Sequence, residues 1–271
     1  MWWAILAATL AAAAMPVVRA DDAARCSSGS AAYVTLPGGE FHSILPPAAA
    51  VQVEPFSLER TPVTNRAFLE FVRAHPEWQR DRVAPKSADG RYLEHWQSPL
   101  ELGAGAPSCQ PVTRVSWFAA RAYCESRGAR LPTWLEWEFA AAADEHVADA
   151  RRDPLWRQTI LATLGRARGA PLPAVGLKPP NLYGIQDLHG LVWEWVEDFD
   201  TLFMAHAHPA HAGMTMAPGD TAMSCGAAAL SVTDPENYPM ILRLAVLSAL
   251  NRSATTADLG FRCAIAVTRH E

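Results

Sequence analysis

Ten tryptophans stand in this 271-residue chain, more than its nine phenylalanines and twice its five tyrosines. Large aromatic side chains dominate core burial, so this sequence has to fold around several indoles at once. Two of them fall in the first three residues. Of the other eight, Trp117, Trp134, Trp137, Trp193 and Trp195 crowd into two short strings. The rest of the composition is ordinary: half the residues are hydrophobic, 19% are charged and the formal net charge is −5. That balance excludes disorder, a collagen-like repeat and a basic nucleic-acid binder. The length suits one large domain or two small ones.

The only long apolar run, residues 4–15, has 12 residues, against the roughly 20 needed to span a bilayer. It reads as a signal peptide over 1–20, with Val18-Arg19-Ala20 supplying small residues at the cut and a mature domain over 21–271. The segment before the run lacks Lys and Arg, and an uncleaved anchor is the competing reading. Cleavage after Ala20 places the protein in the periplasm or outside the cell, with no membrane attachment. All five cysteines, Cys26, Cys109, Cys124, Cys225 and Cys263, then sit where disulfides persist. Five is odd, so at least one thiol is left over for another chain, a metal or chemistry.

Residues 31–58 read as short strands broken by Pro and Gly. Three helix starts follow. Thr64 or Asn65 caps a helix burying Phe68, Phe71 and Val72 and ending at His75-Pro76. Ser116 caps a second, with Trp117, Ala120 and Cys124 on the inner face and Gly128 closing it. Thr133-x-x-Glu136 is a capping box opening a third, with Leu135, Phe139 and Ala142 at helical spacing. Residues 79–110 are polar and irregular, and DGRYLEHWQSP reads as a partner-facing loop. Residues 144–160 read as a surface helix, and 238–250 as a buried one.

Three strings carry a resemblance: PVTRVSWFAARAYCESRGARLPTWLEWEFAAAA (111–143), PPNLYGIQDLHGLVWEWVEDF (179–199) and LGFRCA (259–264). In this order they resemble the formylglycine-generating enzyme, or sulfatase-modifying factor, family. With PFSLERTPVTNRAFLEFV (55–72), the likeness covers most of residues 33–267. It implies a single α+β domain, a compact irregular C-type-lectin-like fold low in regular secondary structure and pinned by Trp. Trp193 and Trp195 are then expected in the core. The resemblance also implies a disulfide between Cys124 and Cys263. It further implies a structural calcium ion held by the Asp187 carboxylate, the Gly190 and Val192 carbonyls and the Glu194 carboxylate, oxygen donors of the kind calcium takes.

The oxidases of this family bind copper(I) through two cysteines five residues apart. The corresponding stretch, SCGAAALSVTDPENYPMILRLAV, holds Cys225 alone, and Pro239 stands in the second position. One thiolate cannot give copper(I) its linear pair of soft ligands. The stretch resembles an exported bacterial branch found as accessory proteins to copper-containing nitrite reductase. Residues 203–225 place His206, His208, His211, Met214 and Met216, with Met204, Met223 and Cys225, in one tract. Imidazole and thioether donors together suit copper in both oxidation states, while a His-rich surface loop is the plain alternative. Cys225 is bonded to Cys26 or Cys109, or is a metal-binding or reactive thiol, or is inert.

The leading functional reading is a periplasmic maturation or accessory factor for an exported, copper-dependent enzyme, bound through that protein or its peptide. The alternatives are a divergent protein-modifying oxidase using Cys225 as its catalytic residue, and a lectin-like binding module with structural calcium.

Overall fold

The computed structural model describes residues 32–45, 49–164, 171–202 and 232–267. Its first four strands are short because Pro and Gly interrupt them: β1 (Tyr33–Leu36), β2 (Gly39–Phe41), β3 (Val51–Val53) and β4 (Phe56–Glu59). β2 and β3 form a ribbon of their own. β4 is the middle of a three-stranded antiparallel sheet. It pairs Leu36 with Phe56 on the β1 side and Phe56 with Ala266 on the side of β7 (Ala264–Ala266). A two-residue parallel pair, β5 (Trp193–Glu194) with β6 (Leu259–Gly260), completes the strands. The structure is thus the irregular α+β arrangement that the sequence implies.

The helices begin where side chains satisfy their first backbone N–H groups. Thr64 accepts from the Ala67 N–H at the start of α1 (Asn65–Ala74), which buries Phe68, Phe71 and Val72. Ser116 does the same for α2 (Trp117–Ser126) through Ala119. Gly128, at φ +68°, supplies the left-handed residue that ends it. In α3 (Trp134–Ala141) Glu136 accepts from the Thr133 N–H at 2.8 Å and Thr133 from the Glu136 N–H at 3.2 Å, a complete capping box.

Three expectations shift. Leu135 is only half-buried, while Trp134, Trp137 and Glu138 go inside. α3 is covered on most sides because the buried Glu138 carboxylate is itself neutralised, by Arg151 at 2.9 Å, Ser43 at 2.6 Å, the Ile44 N–H at 2.7 Å and the Trp134 indole at 2.9 Å. The expected surface helix over 144–160 forms only as α4 (Pro154–Leu164). Asp144 and Asp149 turn the chain ahead of it by accepting from His146, Val147 and Arg151. α5 (Tyr238–Ser248) buries Met240, Arg243, Leu244 and Leu247 but leaves Tyr238 and Leu242 exposed, so it is one-sided.

The indoles fill the centre. Trp117, Trp134, Trp137 and Trp195 are each at most 2% exposed, and every one of their N–H groups has an acceptor. Trp117 donates to the Val196 carbonyl and Trp195 to the Val115 carbonyl, at 3.0 and 2.9 Å, lacing two distant segments together in both directions. Trp134 and Trp137 donate to Glu138 and Glu194. Phe68, Tyr123 and Phe261 pack ring to ring beside them.

Cys124 of α2 and Cys263 are bonded, 139 residues apart in sequence. Beside the bridge lies Glu59, 4% exposed, accepting from the Cys263 N–H at 2.7 Å. Closing a loop of this length restricts the unfolded chain by about 5 kcal/mol in the chain-entropy model. Replacing both cysteines by alanine is expected to cost about 2–5 kcal/mol, read from the urea midpoint. Burial pushes the Glu59 carboxyl from 4.5 to about 7. The folded chain therefore keeps a proton that the unfolded chain has lost across that window, and stability falls as pH rises through it. Glu59→Gln is expected to flatten this part of the profile, measured as denaturation midpoints from about pH 4 to 8.

Candidate functional site

The string DLHGLVWEW makes a loop with two working sides. Asp187 and Gly190 lie in the left-handed region, at φ +61° and +80°. Gly190 has no room for a side chain, because a Cβ there would come within 2.4 Å of the Thr163 hydroxyl. The loop then enters β5, where the Trp193 N–H donates its ladder bond to the Asp258 carbonyl at 2.7 Å and the Trp195 N–H donates to the Gly260 carbonyl at 3.0 Å. Successive strand residues face opposite ways. Glu194 points inward and Trp193 outward.

Inward, Glu194 has no solvent exposure. Arg262, also fully buried, grips it at two points: Nε to Oε2 at 2.8 Å and Nη2 to Oε1 at 2.9 Å, while the Trp137 indole donates to Oε2 at 2.9 Å. The Glu194 backbone carbonyl accepts from Arg243 Nη2 at 2.7 Å, and that guanidinium lies 3.4 Å from the Trp137 ring centroid. Desolvation lowers Arg243 to about 9. Desolvation also holds the His189 imidazole neutral down to about 4, although its Nε2 contacts the Ala141 carbonyl at 2.8 Å.

Outward, Gly190, Leu191, Val192 and Trp193 form one wall of a groove of about 720 Å3. Asn65, His95, Pro107, Pro111, Arg114 and Asp258 are among the residues that line the rest. Asn65 is fixed from both ends, donating to the Pro107 carbonyl and accepting from Trp96. His95 is different. Both ring nitrogens are shielded from solvent and have no partner among the described residues. Desolvation, then the nearby Arg114 and Arg80, push its pKa down to about 4, so it offers one donor and one acceptor at neutral pH. Arg114 pairs with Glu94 at 2.5 Å. Leu93 and Arg114 both have positive φ, +48° and +53°, and the Leu93 N–H donates to the Arg114 carbonyl. Side chains that are not glycine hold such conformations at a cost of about 1–3 kcal/mol each, and they gather at ligand-binding surfaces. Polar donors and acceptors spaced along an apolar, proline-bordered trough suit an extended polypeptide.

The structure brings the four expected calcium residues into one loop but engages its two carboxylates with protein groups. Glu194 is the counter-ion of Arg262, and Asp187 accepts from the Gly176 N–H at 2.5 Å. Among the described residues no cluster of three or more His, Cys, Asp or Glu side chains is placed to hold a metal. As arranged, this set does not fit a calcium ion. Trp195 is in the core as expected; Trp193 is half-buried and lines the groove instead, because β5 puts it on the face opposite Glu194. The expected disulfide is formed, and Cys109 sits half-buried between groove residues. Cys26, Cys225, and the tract with His206, His208, His211, Met214 and Met216 lie outside the described residues. Sequence reasoning passed over Arg243 and His95. The signals were a lone cation in YPMILRLAVLSAL and a histidine in the loop expected to face a partner.

The chain matches the sulfatase-modifying factor enzyme 1-like domain over residues 19–267. It is 34% identical over 208 residues to the mouse (Mus musculus) protein named inactive C-alpha-formylglycine-generating enzyme 2, covering 60% of this chain and 68% of that one. It is 29% identical, over an alignment of 312 positions, to the formylglycine-generating enzyme of Streptomyces coelicolor, covering 92% and 96%. The solved structure of PvdO from Pseudomonas aeruginosa superposes with a TM-score of 0.51 at 19% identity, over 89% of this chain and 97% of that one.

Removing the carboxylate from the buried pair leaves the Arg262 guanidinium without its counter-ion. Glu194→Gln is expected to destabilise by about 3–5 kcal/mol. The double change Glu194→Met with Arg262→Met is expected to lose less than that single change, as measured by chemical denaturation.

Proposed function

Because the chain belongs to the sulfatase-modifying factor enzyme 1-like family, we propose that it is an exported accessory protein that binds a polypeptide segment of a partner enzyme in the groove beside Trp193. It does so without formylglycine-forming turnover. The observation that carries this reading is the groove: His95, whose ring nitrogens have no partner among the described residues, and the half-buried Trp193 both line a trough of about 720 Å3. The stretch that in the oxidases holds two cysteines has Cys225 alone, which supports a member that binds and does not oxidise. The name of the mouse relative, which marks it as inactive, is in keeping with that.

Action in the periplasm is supported by the signal-like leader and by the Cys124–Cys263 bridge, which persists in an oxidising compartment. No described helix is long and apolar enough to cross a membrane. The partner we favour is a copper-dependent exported enzyme. The motive is the donor set of His206, His208, His211, Met214 and Met216, which suits copper in either oxidation state.

A photo-crosslinking residue placed at His95 in the exported protein is expected to capture one exported copper enzyme, with the adduct mapping to one extended segment of it. Trp193→Ala is expected to weaken that complex about tenfold or more, a loss of about 1.4 kcal/mol per decade. Conversion of a peptide cysteine to formylglycine by the purified protein with copper(I) and oxygen would overturn the accessory reading. So would a partner that crosslinks only away from the groove.

A further inference from the structure

The inward side of the 186–194 loop is surrounded by cations that belong to the chain itself. Arg262 reaches five oxygen atoms: the Glu59 and Arg60 carbonyls at 3.0 and 3.2 Å, the Gln186 carbonyl at 3.0 Å, and both Glu194 carboxylate oxygens. Arg243 takes the Glu194 carbonyl. Lys178 Nζ takes the His189 carbonyl at 3.2 Å. Carbonyl and carboxylate oxygens converging from several segments are what a hard divalent ion gathers around itself. Here basic side chains occupy that position.

We infer that Arg262, Arg243 and Lys178 do the structural work of a divalent cation at this loop, so that it holds its shape without calcium. Charge supports the assignment. Two buried carboxylates, Asp187 and Glu194, are already balanced by the buried Arg243 and Arg262, and Lys178 adds a third positive charge at the rim. A calcium ion would bring two more charges into a buried set that has no net negative charge to receive them, and transfer of such charge out of water is strongly unfavourable. A small pocket beside the loop, lined by His189, Val192, Trp193 and Arg243 but by neither Asp187 nor Glu194, has a volume of about 10 Å3, room for one water at most, enough to serve the Arg243 Nε that lacks a partner among the described residues.

The test uses the full exported chain. Metal content is read by elemental analysis after purification without chelator, and melting is followed with calcium chloride, magnesium chloride or EGTA. The expected result is less than stoichiometric calcium and melting temperatures agreeing to about 1 °C. A tightly held calcium ion would add about 5–10 °C to a domain of this size. One calcium per chain, or melting lowered by EGTA and restored by calcium but not magnesium, overturns the inference. Arg243→Lys, which keeps the charge, is expected to lose less melting temperature than Arg243→Met. Equal losses would assign Arg243 a packing role on Trp137 and overturn its part in the cation set.

Discussion

The Glu194–Arg262 pair is the joint on which the rest of the structure turns. Arg262 bonds the end of β4 through Glu59 and Arg60, the loop through Gln186, and β5 through Glu194. Its sequence neighbours extend the grip. The Phe261 carbonyl accepts from Val63 and its ring packs on Phe68 and Tyr123, while Cys263 is bridged to α2. Three consecutive residues thus meet two of the three sheets and two helices. In a fold with such short strands, few backbone ladder bonds are available, and side chains with several donors take over their part.

That joint also explains the groove. Glu194 is anchored from inside, so its neighbour Trp193 and the preceding Gly190–Val192 wall are held in place from behind. The opposite wall is stiffened differently, by Leu93 and Arg114 in left-handed conformations that bond each other. A trough fixed on both sides loses little freedom on accepting a ligand, which is where much of the cost of binding otherwise lies.

The parts legible in the sequence are those governed by near neighbours. Thr64, Ser116 and Thr133 cap helices through residues three positions on, and short range is enough to see that. The tryptophan strings and the Cys124–Cys263 bridge were legible only through the family resemblance, since five cysteines allow many pairings. What stayed hidden depends on residues far apart in the chain. Glu138 looks like a solvent-facing helix carboxylate until Ser43 and Arg151 are brought to it. Arg243 looks like an interruption in an apolar helix until Glu194 and Trp137 are opposite. The two ligand oxygens that the resemblance assigns to Glu194 are there, but the group they meet comes from LGFRCA.

The distance along the chain between β4 and its partner β7 has a consequence for the order of assembly. Glu59 receives its hydrogen bond from Cys263, 204 residues downstream, and the middle strand of the principal sheet lacks one neighbour until that region arrives. Contacts so remote in sequence make folding slow, and domains built on them expose apolar surface while they wait. A chain of this topology cannot lock its core progressively from its N-terminal side: the principal sheet, the disulfide and the β5–β6 pair all wait for residues 259–266.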